Sequence, residues 1–506
     1  MAQRRGIRLL HEEEVSGDCA CSAETLQDWI CCCGEAQKSL LFTIQLPTRD
    51  FDLADEALHR LTKKQVAFFF ALVFLAYAFA WWGPPKISPD SHGYLEVAQM
   101  LSRGAPTELP LRLPGYPALL AITGSAAGST LFLFLVQLGL CLGSAYLMAS
   151  LLVDLEISRR AIIAFTFLAS LPQFVHPAAF VLTEALTLCL LTAGTVLTLK
   201  YCLFGRSAIG VYLASLCFGL CSITRPDYRL HGIAIGLVLL ALASLMAKPA
   251  DRPRFRKAAI AAILGPVLFS TALAGYYQMQ FGRTASPLAA MAILDKMARY
   301  VESIPEHHEP FRSVLLRHRD ATLIRERHHL GEGYIHNAMW ELEELSEREG
   351  RDLSEVLSGL AKAVVVAEPL NYGLQAWKAG ARFWEWSSEL MPRRYPHWAT
   401  GLLVLVHFGL VLSFGLAVAA WILACSCGRA LWSTVSEKTA AERRRMMAVG
   451  VLLAPVFLGM GIHAVAGVGL PRYRIPSDFL VLAVVVLAAS QITHWRIVPA
   501  EKTRNR

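Results

Sequence analysis

Apolar runs of roughly 20 residues recur about ten times along this 506-residue chain, and a helix of that length matches the hydrocarbon thickness of a bilayer. They fall near 66–82, 128–153, 159–175, 178–203, 208–223, 230–247, 258–280, 399–427, 446–467 and 474–493. Inside lipid every backbone N–H and C=O must be paired within the segment, so the runs predict helices and an all-α polytopic membrane protein. With 55% hydrophobic and 17% charged residues, most of the chain is solvated by lipid rather than folded around a water-soluble core.

Cytoplasmic loops collect Lys and Arg, which sets the orientation. His59, Arg60, Lys63 and Lys64 precede the first run, and Arg159 with Arg160, the stretch KPADRPRFRK, the ERRR at 442–445 and the tail EKTRNR fall on the same side. Both ends are therefore expected in the cytoplasm, with the loop 83–127, the long segment 281–397, the TRPD at 224–227 and the PRYR at 471–474 on the outer face. The net charge of +8 is a topology signal and does not imply nucleic acid.

The expected organisation is a cytoplasmic N-terminal tail over 1–62, without sustained period or an apolar signal region, followed by a transmembrane bundle over 63–280. An outer domain over 281–397, further transmembrane helices over 398–494 and a basic cytoplasmic tail over 495–506 complete it. Short loops and a tail without a retention signal point to the cell (cytoplasmic or inner) membrane. Of twelve cysteines, five stand in the N-terminal tail and seven in or beside the apolar runs, so no disulfide is expected in the outer loops. Their spacing lacks the CxxC pairs of a zinc site.

Between the first two runs lies SPDSHGYLEVAQMLSRGAPTELPLRLPGYPALL, over 88–120. Over 90–103, Asp90, Tyr94, Val97 and Leu101 share one helical stripe and His92, Glu96, Gln99 and Arg103 lie elsewhere, the pattern of an interfacial helix. Pro110, Pro114 and Pro117 then turn the chain back to the membrane. The end of the outer segment, EPLNYGLQAWKAGARFWEWSSEL, is rich in Trp and suits a helix resting among lipid headgroups.

Candidate chemistry concentrates at the outer ends of the runs. Asp90 either accepts a proton, its pKa raised by partial desolvation, or caps the helix that it begins. Arg112 either grips a lipid phosphate with its forked guanidinium or snorkels at the interface. Glu184, about two turns inside the fourth run with Thr183 and His176 nearby, either faces a cavity or ties two helices together. Arg225, Arg472 and Arg474 oppose the usual charge bias of outer loops, which an anionic headgroup would explain; mutual pairing of Arg225 with Asp227 is the alternative. Histidines of the outer segment, including His328, His329 and His336, lack HExxH or comparable spacing and read as solvated. No Walker loop, GxGxxG at a strand–helix junction or GxSxG is present.

The ordered set PDSHGYLEVAQMLSRG, LRLPGYPALLA, VLTEAL, SITRPDYRL, EPLNYGLQAWKAGARFWEW and PRYRIPSDFLVL resembles the GT-C glycosyltransferases that use polyprenyl-phosphate sugars. In particular it resembles the group containing protein O-mannosyltransferases and the aminoarabinose transferases of lipid A, over most of 66–493. The resemblance implies a GT-C-like bundle of about ten helices, with interfacial helices in the first outer loop and a mostly helical outer domain. It implies transfer of a sugar, with inversion, from a polyprenyl-phosphate donor to a lipid, glycan or protein acceptor on the outer face. Carried over, Asp90 becomes the base or acceptor-positioning acid and Arg112 a donor-phosphate ligand. Arg225 and Arg472 become secondary phosphate ligands. Beside these, Tyr94, Tyr116, Glu184, His176 and Arg474 are candidate substrate contacts by their place in the same motifs. Many relatives carry a second acid beside the first, where this chain has Ser91; Glu96 or Glu184 would have to supply it. No cofactor is expected and no metal ligand is assigned, a divalent metal being left open, because cationic side chains can neutralise a leaving phosphate.

Two other classes fit parts of the sequence. A transporter or flippase would need polar groups near the bilayer midplane, for which Glu184 is the main argument. A non-catalytic envelope assembly protein would use 281–397 for docking.

Overall fold

A computed structural model describes residues 62–104, 112–128, 130–281, 288–326, 333–386, 396–431, 440–467 and 471–495. The N-terminal tail with its cysteines, Pro110, His328, His329 and the terminal basic stretch lie outside the described residues. Helix α1 (Lys63–Ala80) begins at a reciprocal cap between Thr62 and Gln65, and α2 (Pro89–Ser102) starts with Pro89, whose missing N–H costs nothing in a first turn. After Pro114 come α3 (Gly115–Ile122), α4 (Leu131–Asp154) and α5 (Arg159–Ala169). Pro172 opens α6 (Pro172–Val175), and the pair formed by Arg159–Ala169 and Pro172–Ala179 bends by 63°. Next follow α7 (Glu184–Phe204), α8 (Ala208–Thr224), α9 (His231–Leu245) and α10 (Arg252–Phe281). The outer segment folds into α11 (Leu288–Lys296), α12 (Phe311–Glu326), α13 (Tyr334–Arg348), α14 (Leu353–Ala367) and α15 (Pro369–Arg382). Helices α16 (His397–Leu431), α17 (Ala440–Val465) and α18 (Asp478–Trp495) return to the bundle.

Among the described residues eight helices are long and apolar enough to cross a membrane; the bent pair makes a ninth, and α8 is a shorter apolar helix. The chain is an all-α, multi-pass membrane protein, and every expected run has a helix at its place. Helices α8, α9 and α10 approach closely through glycines. A Cβ on Gly265 would stand 2.0 Å from the Ser215 carbonyl oxygen, and one on Gly232 2.5 Å from that of Ala262.

The two ends of the bundle differ in charge. At one end Asp154 receives Lys63, Lys200 at 3.4 Å and Arg206 at 2.8 Å, while Arg445 donates to the carbonyls of Leu155 and Glu156 at 3.1 and 2.6 Å. Of these cations, Lys63 and Arg445 belong to basic segments expected on one side, and Lys200 and Arg206 join them. The first loop and the PRYR segment lie at the opposite end, where the outer segment builds its own core from residues such as Leu294, Val301, Phe311, Leu342 and Leu357.

Candidate functional site

A cavity of about 470 Å³ opens at that opposite end. It is lined by Asp90, Tyr94 and Arg112 of the first loop, by Thr183 and Glu184 at the start of α7, and by Arg225 and Asp227 after α8. His463 at the end of α17, then Arg472 and Tyr473, supply another wall; Met291 and Asp295 of α11 and His336 of α13 close it from the outer segment. Its size falls within the range of small-molecule sites.

Local structure explains why the first loop presents its charges here. Lys86 N–H donates to the Ala179 carbonyl at 2.7 Å and Val181 N–H to the Lys86 carbonyl at 3.0 Å, so the strand-like entrance to α2 is stitched to the extended chain that leads into α7. Ser91, wholly buried, accepts from Ser88 N–H at 2.8 Å and donates to the Val181 carbonyl at 2.8 Å. The position beside Asp90 is therefore occupied by a hydroxyl that fastens the loop. Gly93 leaves room for the next layer: a Cβ there would stand 3.1 Å from Arg112 Nε.

Asp90 is gripped from both sides. Arg112 Nη2 donates to Oδ1 at 2.8 Å and Arg472 Nη2 to Oδ2 at 2.7 Å. Burial pushes the carboxyl up, but the two guanidiniums, Arg472 before Arg112, outweigh it and hold the group below the usual carboxylate range. This overturns the expected rise: desolvation is present, and two cations defeat it. Nor is Asp90 the cap, which is the residue before Pro89, since the helix starts at Pro89. Arg112 does not snorkel; its guanidinium lies 4.8 Å from the Tyr94 ring centre, over the ring. Burial pushes the Tyr94 phenol up, so it stays a neutral hydrogen-bonding group.

A second charged set adjoins the first. Arg225 donates from Nε and Nη2 to the two Asp227 oxygens at 3.2 and 3.0 Å, and from Nη1 to Glu184 Oε1 at 3.2 Å and Thr183 Oγ1 at 3.4 Å. The expected pairing of Arg225 with Asp227 is present, and the guanidinium also lines the cavity. Glu184 does not sit two turns inside a span. The stretch HPAA coils as a 3₁₀ turn and the chain then extends, so α7 begins at Glu184 itself, with its carboxylate in the favourable field of a helix N-terminus.

Other expected contacts lie elsewhere. Tyr116 is buried beneath Tyr94 and donates to Gln137 Oε1 at 2.9 Å; Gln137 in turn donates to the carbonyls of Ala178 and Phe180 at 3.0 and 2.8 Å. It supports the site without facing it. Arg474 donates to Asp478 Oδ1 at 2.7 Å and to the carbonyls of Phe383 and Glu385 at 3.3 and 3.4 Å. His176 packs edge-on between Trp81 and Phe180, and lines with Arg474 a separate small cavity beside α16. Both stand in the motifs expected to meet substrate, but the 3₁₀ turns at 176–179 and 471–477 direct them to this second cavity.

Sequence reasoning missed His463 in its role at the cavity and Asp227 as more than a partner of Arg225. Their contact at 3.1 Å joins segments far apart in the chain, and no local spacing signals it. His336, read as solvated, stands at the cavity rim, where desolvation and then Arg112 push its imidazole down.

The arrangement suits an anion. Asp90, Glu184 and Asp227 are each already held by a guanidinium, and among the described residues no group of three or more His, Cys, Asp or Glu side chains gathers as metal ligands would. An incoming phosphate would meet Arg112, Arg225 and Arg472 on one surface.

No protein-family profile matches the chain, and no curated protein matches it. Among solved structures, the archaeal oligosaccharyltransferase AglB from Archaeoglobus fulgidus, in complex with an inhibitory peptide and a dolichol-phosphate, is similar over 88% of this chain, with 14% identity and a TM-score of 0.43. The chain spans about half of that protein, 52% of its length.

Proposed function

We propose that this chain is an integral membrane glycosyltransferase that moves a sugar from a polyprenyl-phosphate donor to a lipid, glycan or protein acceptor, with inversion. The observation that carries the reading is the convergence of Arg112, Arg225 and Arg472 on one cavity at the ends of the membrane helices. A lipid-linked phosphate reaches that level with its chain still in the bilayer, and guanidiniums from three segments can take the charge that develops as the phosphate leaves. In this reading the cavity faces the extracytoplasmic side, and the basic end around Asp154 faces the cytoplasm.

Asp90 then serves to hold and aim Arg112 and Arg472. A carboxylate kept below its usual range is a weak proton acceptor and a good organiser of cations. The transporter alternative loses its main support, since Glu184 opens a helix at the cavity and does not lie deep within a span.

The test is transfer of labelled sugar from a pool of polyprenyl-phosphate donors to membrane lipids, glycans and proteins, comparing the parent chain with Asp90→Asn and Arg472→Ala at equal abundance. The reading expects transfer by the parent and a loss of about 100-fold or more in either variant. Absence of transfer from every donor, or normal transfer by both variants, would sink it.

A further inference from the structure

His463 occupies the cavity wall in a setting that the donor-phosphate reading leaves unused. Its ring is sandwiched between Tyr473, at 4.5 Å and 3° from parallel, and Phe383, at 5.9 Å and 23°. Its two nitrogens face different surroundings. Nε2 lies 3.1 Å from Asp227 Oδ2, and a carboxylate can only accept, so that nitrogen carries the proton. The other, Nδ1, is buried and has no hydrogen-bond partner among the described residues. Gly467, itself a cavity residue, packs closely against this nitrogen: a Cβ there would stand 2.7 Å from Nδ1.

We propose that His463 is the proton acceptor of this site and that Asp227 is the residue that positions it. The proposal rests on the glycosyl-transfer reading and deepens it. In the step, the acceptor's hydroxyl oxygen or amine nitrogen bonds to the anomeric carbon as the bond from that carbon to the phosphate oxygen breaks. The phosphate leaves with the electron pair, neutralised by Arg112 and Arg472, and the acceptor's proton passes to His463 Nδ1. The ring then carries a proton on each nitrogen, and its positive charge rests against Asp227. Asp90 is unsuited to this work, because both its oxygens are occupied by guanidiniums.

The groups around the imidazole are few and named. Asp227 and Arg225 face it from the turn before α9, Tyr473 from the 3₁₀ segment and His231 from α9; Lys296 and Tyr372 bind the carbonyls just beyond it on α17. Glu184 is the rival acceptor, since its Oε2 is also buried without a partner among the described residues.

The decisive experiment compares His463→Gln, His463→Ala, Gly467→Ala and Glu184→Gln for transfer and for binding of decaprenyl phosphate. The expected result is a loss of roughly 100-fold or more in transfer for the two His463 variants, with decaprenyl-phosphate affinity within about threefold of the parent. Gly467→Ala, which crowds Nδ1 and keeps the imidazole, lowers transfer in the same pattern. Added imidazole restores transfer to His463→Ala at least tenfold, whereas pyrazole, a ring of the same size and far weaker basicity, does not. Equal restoration by pyrazole means the ring only fills space and overturns the proposal. So does transfer by His463→Gln within about threefold of the parent, or a loss confined to Glu184→Gln. Lost decaprenyl-phosphate binding in His463→Gln overturns it in favour of a role in the donor site. Transfer by the parent from no donor overturns this inference together with the function it rests on.

Discussion

Arg472 and Arg474 stand two positions apart on one 3₁₀ segment and serve opposite sides of it. The first donates to Asp90 Oδ2 at 2.7 Å in the cavity, and the second to Asp478 Oδ1 at 2.7 Å beside α16. Two like residues in one short motif therefore have separable duties. Arg472→Ala is expected to lower donor affinity by about tenfold or more, with a modest change in thermal stability. Arg474→Ala leaves Asp478 buried without its partner and is expected to lower stability by about 3 kcal/mol while the surviving folded protein keeps its donor affinity. Titration with decaprenyl phosphate and thermal unfolding in detergent separate the two; a shared phenotype would refute the division.

Asp90 should betray its clamp through pH. Its folded pKa lies below the ordinary 3.8, so its stabilising contribution is complete above about pH 4 and is lost as the pH falls through the folded value. With a side chain 32% exposed, the solvent-screened contribution is about 1 kcal/mol. The melting temperature of Asp90→Asn is expected below that of the parent at pH 7, the gap closing as the pH approaches 3. A gap that widens on acidification would contradict the clamp.

Enlarging residue 93 should disturb Arg112 without altering Arg112 itself. The Cβ of Gly93→Ala would press on Nε at 3.1 Å, and the branched Gly93→Val more so. Donor affinity should fall in the order Gly, Ala, Val, with Val about tenfold weaker. Equal affinity across the series would show that Arg112 can be moved freely.

Placing an acid beside Asp90 should fail. Ser91→Asp would bury a carboxylate where a hydroxyl now links Ser88 N–H to the Val181 carbonyl. The expected result is a loss of about 3 kcal/mol or more in stability and weaker transfer, read by unfolding and by the labelled-sugar assay. Ser91→Thr, which keeps the hydroxyl, is the milder comparison.

The spans were legible because hydropathy and helix length act locally, and each of the ten runs became a helix. The ordered outer motifs likewise brought Asp90, Tyr94, Arg112, Glu184, Arg225 and Arg472 to one cavity. What failed was direction. His176 and Arg474 lie in the right motifs, but 3₁₀ turns, with Pro177 in one and Pro471 and Pro476 in the other, rotate them away. The charge state of Asp90 was misjudged because burial reads from the loop itself, whereas the cations that outweigh it arrive from positions 22 and 382 residues away. His463 carried no signal at all, since its partner Asp227 belongs to another segment.

The grip on Asp90 also orders the birth of the protein. Arg112 comes from the first loop, 22 residues after Asp90, but Arg472 comes from the segment just before α18. A nascent chain held at residue 470 already possesses every membrane helix up to α17, yet only half of the clamp. The two-sided hold on Asp90 is thus a product of the folded bundle, closed only when a segment 382 residues further along meets the first loop.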